Sequence, residues 1–363
     1  MLAYITPLIF LSILSSLENS NRLSNIISNK IFYFSLALFF IIFIGLRYEI
    51  GCDWFIYLKM LDKFSYLSFI EILRFNFFNN SSETIQELGH VVITIFSRNI
   101  YVLNTIYASI FIAPLFFFCS RLNRVYLALL VSYPYFIIVV GMGPIRQAAC
   151  ISILMLSFLY VQNKRYISHF VATILSVLIH QFSIIFNALL LIPILPRLNK
   201  NKLSKKTILF AILLISIIAY SVPSYVVKFY FYITLPDEIM APAKGTFYVW
   251  IINFIPALIF LLNRTKFKLQ DNLKKVIIIF SIFEILLLPL VFFKSVIAYR
   301  LILYIFPSSI LITTKIPDIK LFKIESHYFV KSIIFLSFLN LIIWTNYAHH
   351  AYCWLPYKNI IIN

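Results

Sequence analysis

The stretch Tyr101-Val-Leu-Asn-Thr-Ile-Tyr-Ala-Ser-Ile-Phe-Ile-Ala-Pro-Leu-Phe-Phe-Phe-Cys119 contains no charged residue. A helix rising 1.5 Å per residue needs about 20 residues to cross a hydrocarbon layer roughly 30 Å thick, so this run reads as one membrane crossing. Comparable apolar runs, each bounded by charged or turn-forming residues, lie at 2 to 17, 31 to 46, 126 to 140, 147 to 161, 167 to 180, 183 to 196, 207 to 222, 247 to 262, 276 to 293, 299 to 314 and 330 to 347. The chain of 363 residues is 62% hydrophobic and 12% charged, with a mean hydropathy of +0.93. A water-soluble domain cannot bury that much apolar surface. The expected fold is an all-α polytopic membrane protein of about 11 to 12 transmembrane helices, with residues 1–363 forming a single integral membrane domain.

The net charge of +18 would suggest nucleic acid in a soluble protein. Here it reports orientation. When the connections are assigned alternately to two sides, one set (near 18 to 30, 120 to 125, 162 to 166, 197 to 206, 263 to 275 and 315 to 331) holds 20 basic and four acidic residues. The other (47 to 98, 141 to 146, 223 to 246, 294 to 300 and the tail from 348) holds 11 basic and eight acidic residues. Basic residues in short loops favour the cytoplasmic side, so the first set is expected inside and both termini outside. The first apolar segment lacks a basic residue ahead of it and reads as a retained span rather than a cleaved signal. Of the four cysteines, only Cys52 and Cys353 fall on the outer side; they could pair, although no spacing motif calls for it.

Two regions depart from simple spans. Only about 30 residues separate the basic loops ending at Arg165 and starting at Arg197, too few for two full crossings, so short or broken helices or a re-entrant hairpin are expected, with His180 at the middle. Residues 47–98 are too polar to span and form a non-cytoplasmic segment, in which Trp54 to Phe64 and Tyr66 to Phe75 read as interfacial helices.

Several residues on the outer half bear on chemistry. In Gly45-Leu-Arg-Tyr-Glu-Ile-Gly-Cys-Asp-Trp-Phe-Ile-Tyr57, Arg47 and Asp53 flank the flexible Gly51 and suit a phosphate-binding cation and an acid or base. The plainer alternative is a helix-end anchor and a helix cap. In Gly141-Met-Gly-Pro-Ile-Arg-Gln147, Arg146 enters the first turn of a helix, where a cation opposes the dipole and calls for an anionic ligand or partner. His180 is an ionisable group within a span, and Arg300 is a third outer cation. Glu284, mid-span, is open between a neutral acid, an ion pair and a proton path. No histidine or cysteine spacing supports a metal site, and no cofactor is expected. Taken together, Arg47, Asp53, Arg146, His180 and Arg300 point to one external site suited to a diphosphate.

At these residues the chain resembles the EpsG-type, Wzy-like family of bacterial polysaccharide polymerases. The matching pieces are Gly45 to Tyr57, Glu87-Leu-Gly89, the Gly-Pro-Ile-Arg-Gln stretch ending at Gln147, and His180 with Ser183; Arg300 with Tyr304 and Trp354-Leu-Pro-Tyr357 are weaker. The resemblance implies a GT-C-like glycosyltransferase of the bacterial inner membrane, multi-pass, acting without a metal on the periplasmic or external face. Its reaction would move the growing glycan from undecaprenyl diphosphate to the next lipid-linked repeat unit. The implied roles are catalysis for Asp53, His180 and Arg146, diphosphate binding for Arg47, Arg146 and Arg300, and substrate binding for Tyr57, Glu87, Gln147, Trp354 and Tyr357. Implied partners are the lipid-linked donor and acceptor, membrane lipids and a chain-length regulator protein, with no nucleic acid. Alternatives are a lipid-linked oligosaccharide flippase or other transporter, an O-antigen ligase-like glycosyltransferase, and a membrane acyltransferase.

Overall fold

The computed structural model describes residues 1–18, 29–65, 71, 87–97, 99–191, 230, 234, 243, 245–319 and 324–361. The expected span at 207 to 222 and nearly all of the expected interfacial stretch 66 to 75 lie outside these residues. The described helices are α1 (Leu2–Leu17), α2 (Lys30–Gly45), α3 (Trp54–Ser65), α4 (Leu88–Ser97), α5 (Ile100–Cys119), α6 (Val125–Ser132), α7 (Ile145–Gln162), α8 (Tyr166–Ile179), α9 (Ser183–Leu191), α10 (Thr246–Leu262), α11 (Asp271–Leu286), α12 (Leu288–Phe293), α13 (Ser295–Leu303), α14 (Phe306–Lys315) and α15 (Ser326–Tyr347). The only β pairing among the described residues is an isolated antiparallel bridge between Arg47 and Asn359.

The chain is an all-α polytopic membrane protein. Among the described residues, α5, α7, the run from Asp271 to Phe293 and α15 are each long and apolar enough to cross a membrane. The helices on either side of Tyr304 pass that test only together and are bent by 54°. Shorter apolar helices of 10–17 residues stand at most of the other expected spans. Helix ends follow local chemistry: the side chains of Asn29 and Asn99 accept from the main-chain N–H of Ile31 and Tyr101 at 2.8 Å, capping α2 and α5. After α6 the chain winds into a π-helix, Tyr133–Val140. Pro134 at its start has no N–H to close an α turn.

The contacts divide the chain into two compact units. The first comprises residues 1–66, 93–152 and 310–363, and the second 67–92 and 153–309. In the first, α2 packs along α5, α1 along α6, and α15 against α6 and the π-helix. Loops assigned to one side by charge meet each other here. Glu18 accepts from the N–H groups of Tyr126 and Leu127 at 3.1 and 3.4 Å, capping α6 with a carboxylate. Arg124 reaches Asp318 at 2.9 Å and Ser326 at 2.8 Å. Segments assigned to the opposite side, near 47 to 53 and the tail, meet through the Arg47–Asn359 bridge.

In the second unit, α10 packs on α11 and α13, and α8 on α9. The break at residues 180–182 between α8 and α9 is the interruption expected from the 30-residue spacing, and the two helices are held by polar groups. Asn187 donates to Ser176 Oγ at 2.9 Å and accepts from Thr173 Oγ1 at 3.0 Å.

Sidedness is testable directly. A cysteine at His349 should react with a membrane-impermeant maleimide added to intact cells, whereas one at Asn123 should react only after permeabilisation. Equal labelling of both would overturn the charge-based orientation.

Candidate functional site

The first unit assembles its site from three segments: the turn after α2, the turn before α7 and the C-terminal tail. The turn after α2 is organised by Arg47. Its side chain is 1% exposed and donates to the carbonyls of Ile44 at 2.7 Å and Ile50 at 3.0 Å, and to Asn104 Oδ1 at 3.1 Å. The last carbonyls of a helix have no partner within it, and a guanidinium carries five donors in a fixed fork, so one arginine closes the helix and shapes the turn beyond it. Trp54 lies 5.7 Å from the guanidinium carbon. Burial lowers the Arg47 pKa to about 10, and the nearby phenols and Asp53 act against that loss, so the group stays cationic at neutral pH.

Gly51 then brings this turn against the one before α7. Its φ of +93° lies in the left-handed region, and a Cβ there would fall 2.0 Å from the carbonyl oxygen of Met142. Only glycine meets both conditions. The contact sets Asp53, at the start of α3, beside the turn that carries Arg146. The Tyr57 phenol, one turn into α3, is in hydrogen-bonding contact with both the guanidinium and the main-chain N–H of Arg146, with Asp53 in electrostatic range. Burial raises the Tyr57 pKa, and Arg146 tempers that rise. The arginine carbon stands 5.8 Å from the centre of the Tyr57 ring. Arg146 and Asp53 are half-buried, whereas Arg47, Tyr57 and Gln147 are buried. A charged ligand therefore has surface to reach on Arg146, while Arg47 is enclosed by protein.

The tail fastens both turns. Cys353 forms a disulfide with Cys52 across 301 residues of sequence, the pairing that spacing left open. The Cys353 carbonyl accepts from Gly51 N–H at 2.8 Å, Lys358 O from Tyr48 N–H at 3.0 Å, and Leu46 O from Ile360 N–H at 3.1 Å. Trp354 is buried; its indole N–H donates to Ile138 O at 3.1 Å, and its own carbonyl accepts from the Tyr4 hydroxyl at 2.8 Å. Tyr357 stacks on Phe43 with ring centres 4.5 Å apart and donates to Phe43 O at 2.7 Å. The polar ends of both aromatics are thus engaged with main chain, which makes them fasteners of the tail.

The second unit holds His180, Arg300 and Glu87. His180 ends α8 in an extended conformation, with its N–H bonded to Ser176 O at 2.9 Å. Its Nδ1 lies 2.7 Å from the Tyr304 hydroxyl. Arg300 is half-buried in the last turn of α13, four residues before Tyr304. Glu87 is buried just ahead of α4. Gly89 allows the first turn of α4 to touch α8, since a Cβ there would be 2.8 Å from Leu178 O, two residues before His180. Glu284 is fully buried, and neither carboxyl oxygen has a hydrogen-bond partner among the described residues; its main-chain oxygen accepts from the Trp250 indole at 2.9 Å.

Asn104, Tyr4 and Tyr304 complete these arrangements; sequence reasoning passed over Asn104 and Tyr4 and named Tyr304 only as a weaker match of the resemblance. Asn104 is the one with a signal, a lone amide in an otherwise apolar span, which in hydrocarbon demands a partner.

Two outcomes test the geometry. Denatured but unreduced protein should present two reactive thiols, Cys119 and Cys150, rising to four after reduction. Gly51→Ala should lower the thermal stability of the purified protein, because left-handed strain alone costs of order 1–3 kcal/mol and the clash with Met142 adds to it. An unchanged melting temperature would contradict the described turn.

No curated protein and no solved structure matches this chain. The sequence model of the EpsG family matches residues 30–359, which include Arg47, Asp53, Arg146, His180, Arg300 and the tail as far as Asn359. The chain therefore belongs to the EpsG family, a membrane-protein family of polysaccharide synthesis.

Proposed function

We propose that this protein polymerises lipid-linked glycan repeat units, transferring the growing chain from undecaprenyl diphosphate to the next lipid-linked repeat unit at the outer face of the bacterial inner membrane. The observation that carries the reading is Arg146, a half-buried arginine in hydrogen-bonding contact with the buried Tyr57, whose phenol also lies within electrostatic range of Asp53. An acceptor hydroxyl attacks the anomeric carbon of the donor, the bond from that carbon to the diphosphate oxygen breaks, and the electron pair leaves on the diphosphate. A preorganised cation at that oxygen stabilises the charge as it develops. Arg146 takes this role in the first unit, with Arg47 holding the turn behind it, and Arg300 is the cation of the second. Asp53 and His180 are the two groups suited to accept the hydroxyl proton.

Two observations support the outer face. The charge bias of the loops puts these segments opposite the basic ones. The Cys52–Cys353 disulfide belongs to an oxidising compartment. An ion-coupled transporter of lipid-linked oligosaccharide is the second reading, favoured by the buried carboxyl of Glu284, which has no hydrogen-bond partner among the described residues. The two readings separate on where undecaprenyl-linked repeat units accumulate when the protein is lost: outside for the polymerase, inside for the transporter.

The test is surface-glycan length in a deletion strain complemented with variants. Removing one transition-state donor typically costs about 10²–10³ in rate, so Arg146→Ala and Asp53→Asn should each leave mainly single repeats, with Arg146→Lys intermediate. Normal ladders from Arg146→Ala at normal protein levels would overturn the assignment.

A further inference from the structure

Buried side-chain oxygens with no hydrogen-bond partner among the described residues gather where α10 packs on α11. Glu284 is fully buried in the last turn of α11, and this holds for both its carboxyl oxygens. One turn earlier on the same helix, Ser281 is fully buried and its hydroxyl is in the same position. The hydroxyls of Ser12, Ser132 and Ser337 donate to the carbonyl four residues back, the usual resource of a serine inside a helix. Ser281 does not use it. On α10, Asn253 is fully buried, its Nδ2 donates to Val249 O at 3.0 Å, and its Oδ1 has no partner among the described residues.

Register brings these groups to one level. The Trp250 indole donates to Glu284 O at 2.9 Å, which sets residue 250 of α10 against residue 284 of α11. The two helices are joined by the short connection 263–270 and pack side by side, so they run antiparallel. Three residues forward on α10 therefore stand against three residues back on α11. Asn253 falls at the level of Ser281, one turn from Glu284.

Charge identifies what such a group of oxygens binds. A carboxylate buried in a membrane span calls for a positive counterpart. Of α9, α10 and α12, which pack on α11, none carries a basic residue, and Tyr248 is the one titratable side chain among them. Lys275, the nearest charged residue on α11 itself, is nine residues away, about 14 Å along the helix. A proton bridges only oxygens within hydrogen-bond distance, and these oxygens make no such contact. A metal cation instead gathers its oxygen ligands around itself and holds them apart. A divalent ion would leave excess positive charge in the span, whereas a monovalent ion cancels the carboxylate. The break beyond Glu284 favours a cation further: α11 ends at Leu286, and Pro289 has no N–H to give to the Ile285 carbonyl. Carbonyl ends of interrupted helices hold sodium ions in membrane transporters.

We propose that Glu284, Asn253 and Ser281 form a binding site for one alkali-metal cation. The Glu284 carboxylate supplies the charge, and Asn253 Oδ1 and Ser281 Oγ are the neutral ligands. The ion ties α10 to α11 and satisfies three buried groups at once. Its binding is independent of which reaction the protein performs.

The test is the thermal stability of the full-length protein in lipid nanodiscs, at constant pH and ionic strength, in sodium, potassium or choline chloride. A ligand held only by the folded state raises the melting temperature. Wild type should melt higher in sodium or potassium chloride than in choline chloride, with a saturating dose response. Asn253→Ala and Ser281→Ala should each raise the half-saturating concentration roughly tenfold, and Glu284→Gln, which keeps the shape and removes the charge, should melt alike in all three salts. A second readout leaves the three ligands intact. Because the Trp250 indole is bonded to Glu284, the alkali ion should shift the tryptophan emission of wild type over the same concentration range, and Trp250→Phe should lose that shift. Should Glu284→Gln fail to fold, the emission titration decides, and a spectrum indifferent to the cation overturns the proposal. Identical melting of wild type in the three salts overturns it too, as does an alkali effect that survives in Glu284→Gln. Stabilisation by acidification alone, with no response to alkali ions, assigns the carboxyl to a proton and also overturns it.

Discussion

Hydrocarbon neither donates nor accepts hydrogen bonds, and every break in a membrane helix must therefore find its partners inside the protein. An unsatisfied polar group there costs several kcal/mol. Most of the polar side chains described above answer this constraint. Arg47 closes the carbonyl end of α2, Glu18 closes the amide end of α6, and Asn187 joins α8 to α9 through Thr173 and Ser176. The Trp354 indole and the hydroxyls of Tyr4 and Tyr357 each end on a main-chain carbonyl. Once these partners are in place the chain can afford turns of irregular shape, and such turns are where Asp53, Arg146 and His180 stand.

The constraint also sorts the arginines. A cation enclosed by carbonyls acts on the backbone, and a half-buried cation steadied by a phenol can act on a ligand. Arg47 and Arg146 are alike in sequence terms, each beside glycines at a helix end on the same side. Burial separates them: Arg47 is 1% exposed, while Arg146 retains surface. The tail has a comparable division of labour. The family resemblance implies substrate binding for Trp354 and Tyr357, and in the structure their polar atoms are engaged with Ile138, Tyr4, Phe43 and Asn359. Their influence on a ligand passes through the turns they fasten.

Much of this was legible in the sequence because it depends on chain-local properties. Apolar run length, the basic bias of alternate loops and the short spacing around His180 gave the all-α polytopic class, the grouping of the loops and the position of the α8–α9 pair. The bend at Tyr304 was not foreseen, although Pro307, which has no N–H to give to the carbonyl of Leu303 four residues earlier, stands just beyond the break. The disulfide was left open because 301 residues separate its halves and their meeting depends on how α1, α2, α6 and α15 pack.

The sequence by itself determined that this chain lives in a membrane, and its charge pattern set out an expected alternation of the loops and the ionisable residues that alternation leaves on the less basic side. Hydropathy and charge act residue by residue, so a list of residues carries them. Tertiary structure alone decided which arginine is enclosed and which is reachable, that Gly51 is pressed onto Met142, that Cys52 meets Cys353, and that a tyrosine at one helix break contacts the histidine at another. These are pairings between distant segments. Their partners are selected by packing and by the gain from pairing buried polar groups, neither of which is a property of any single position.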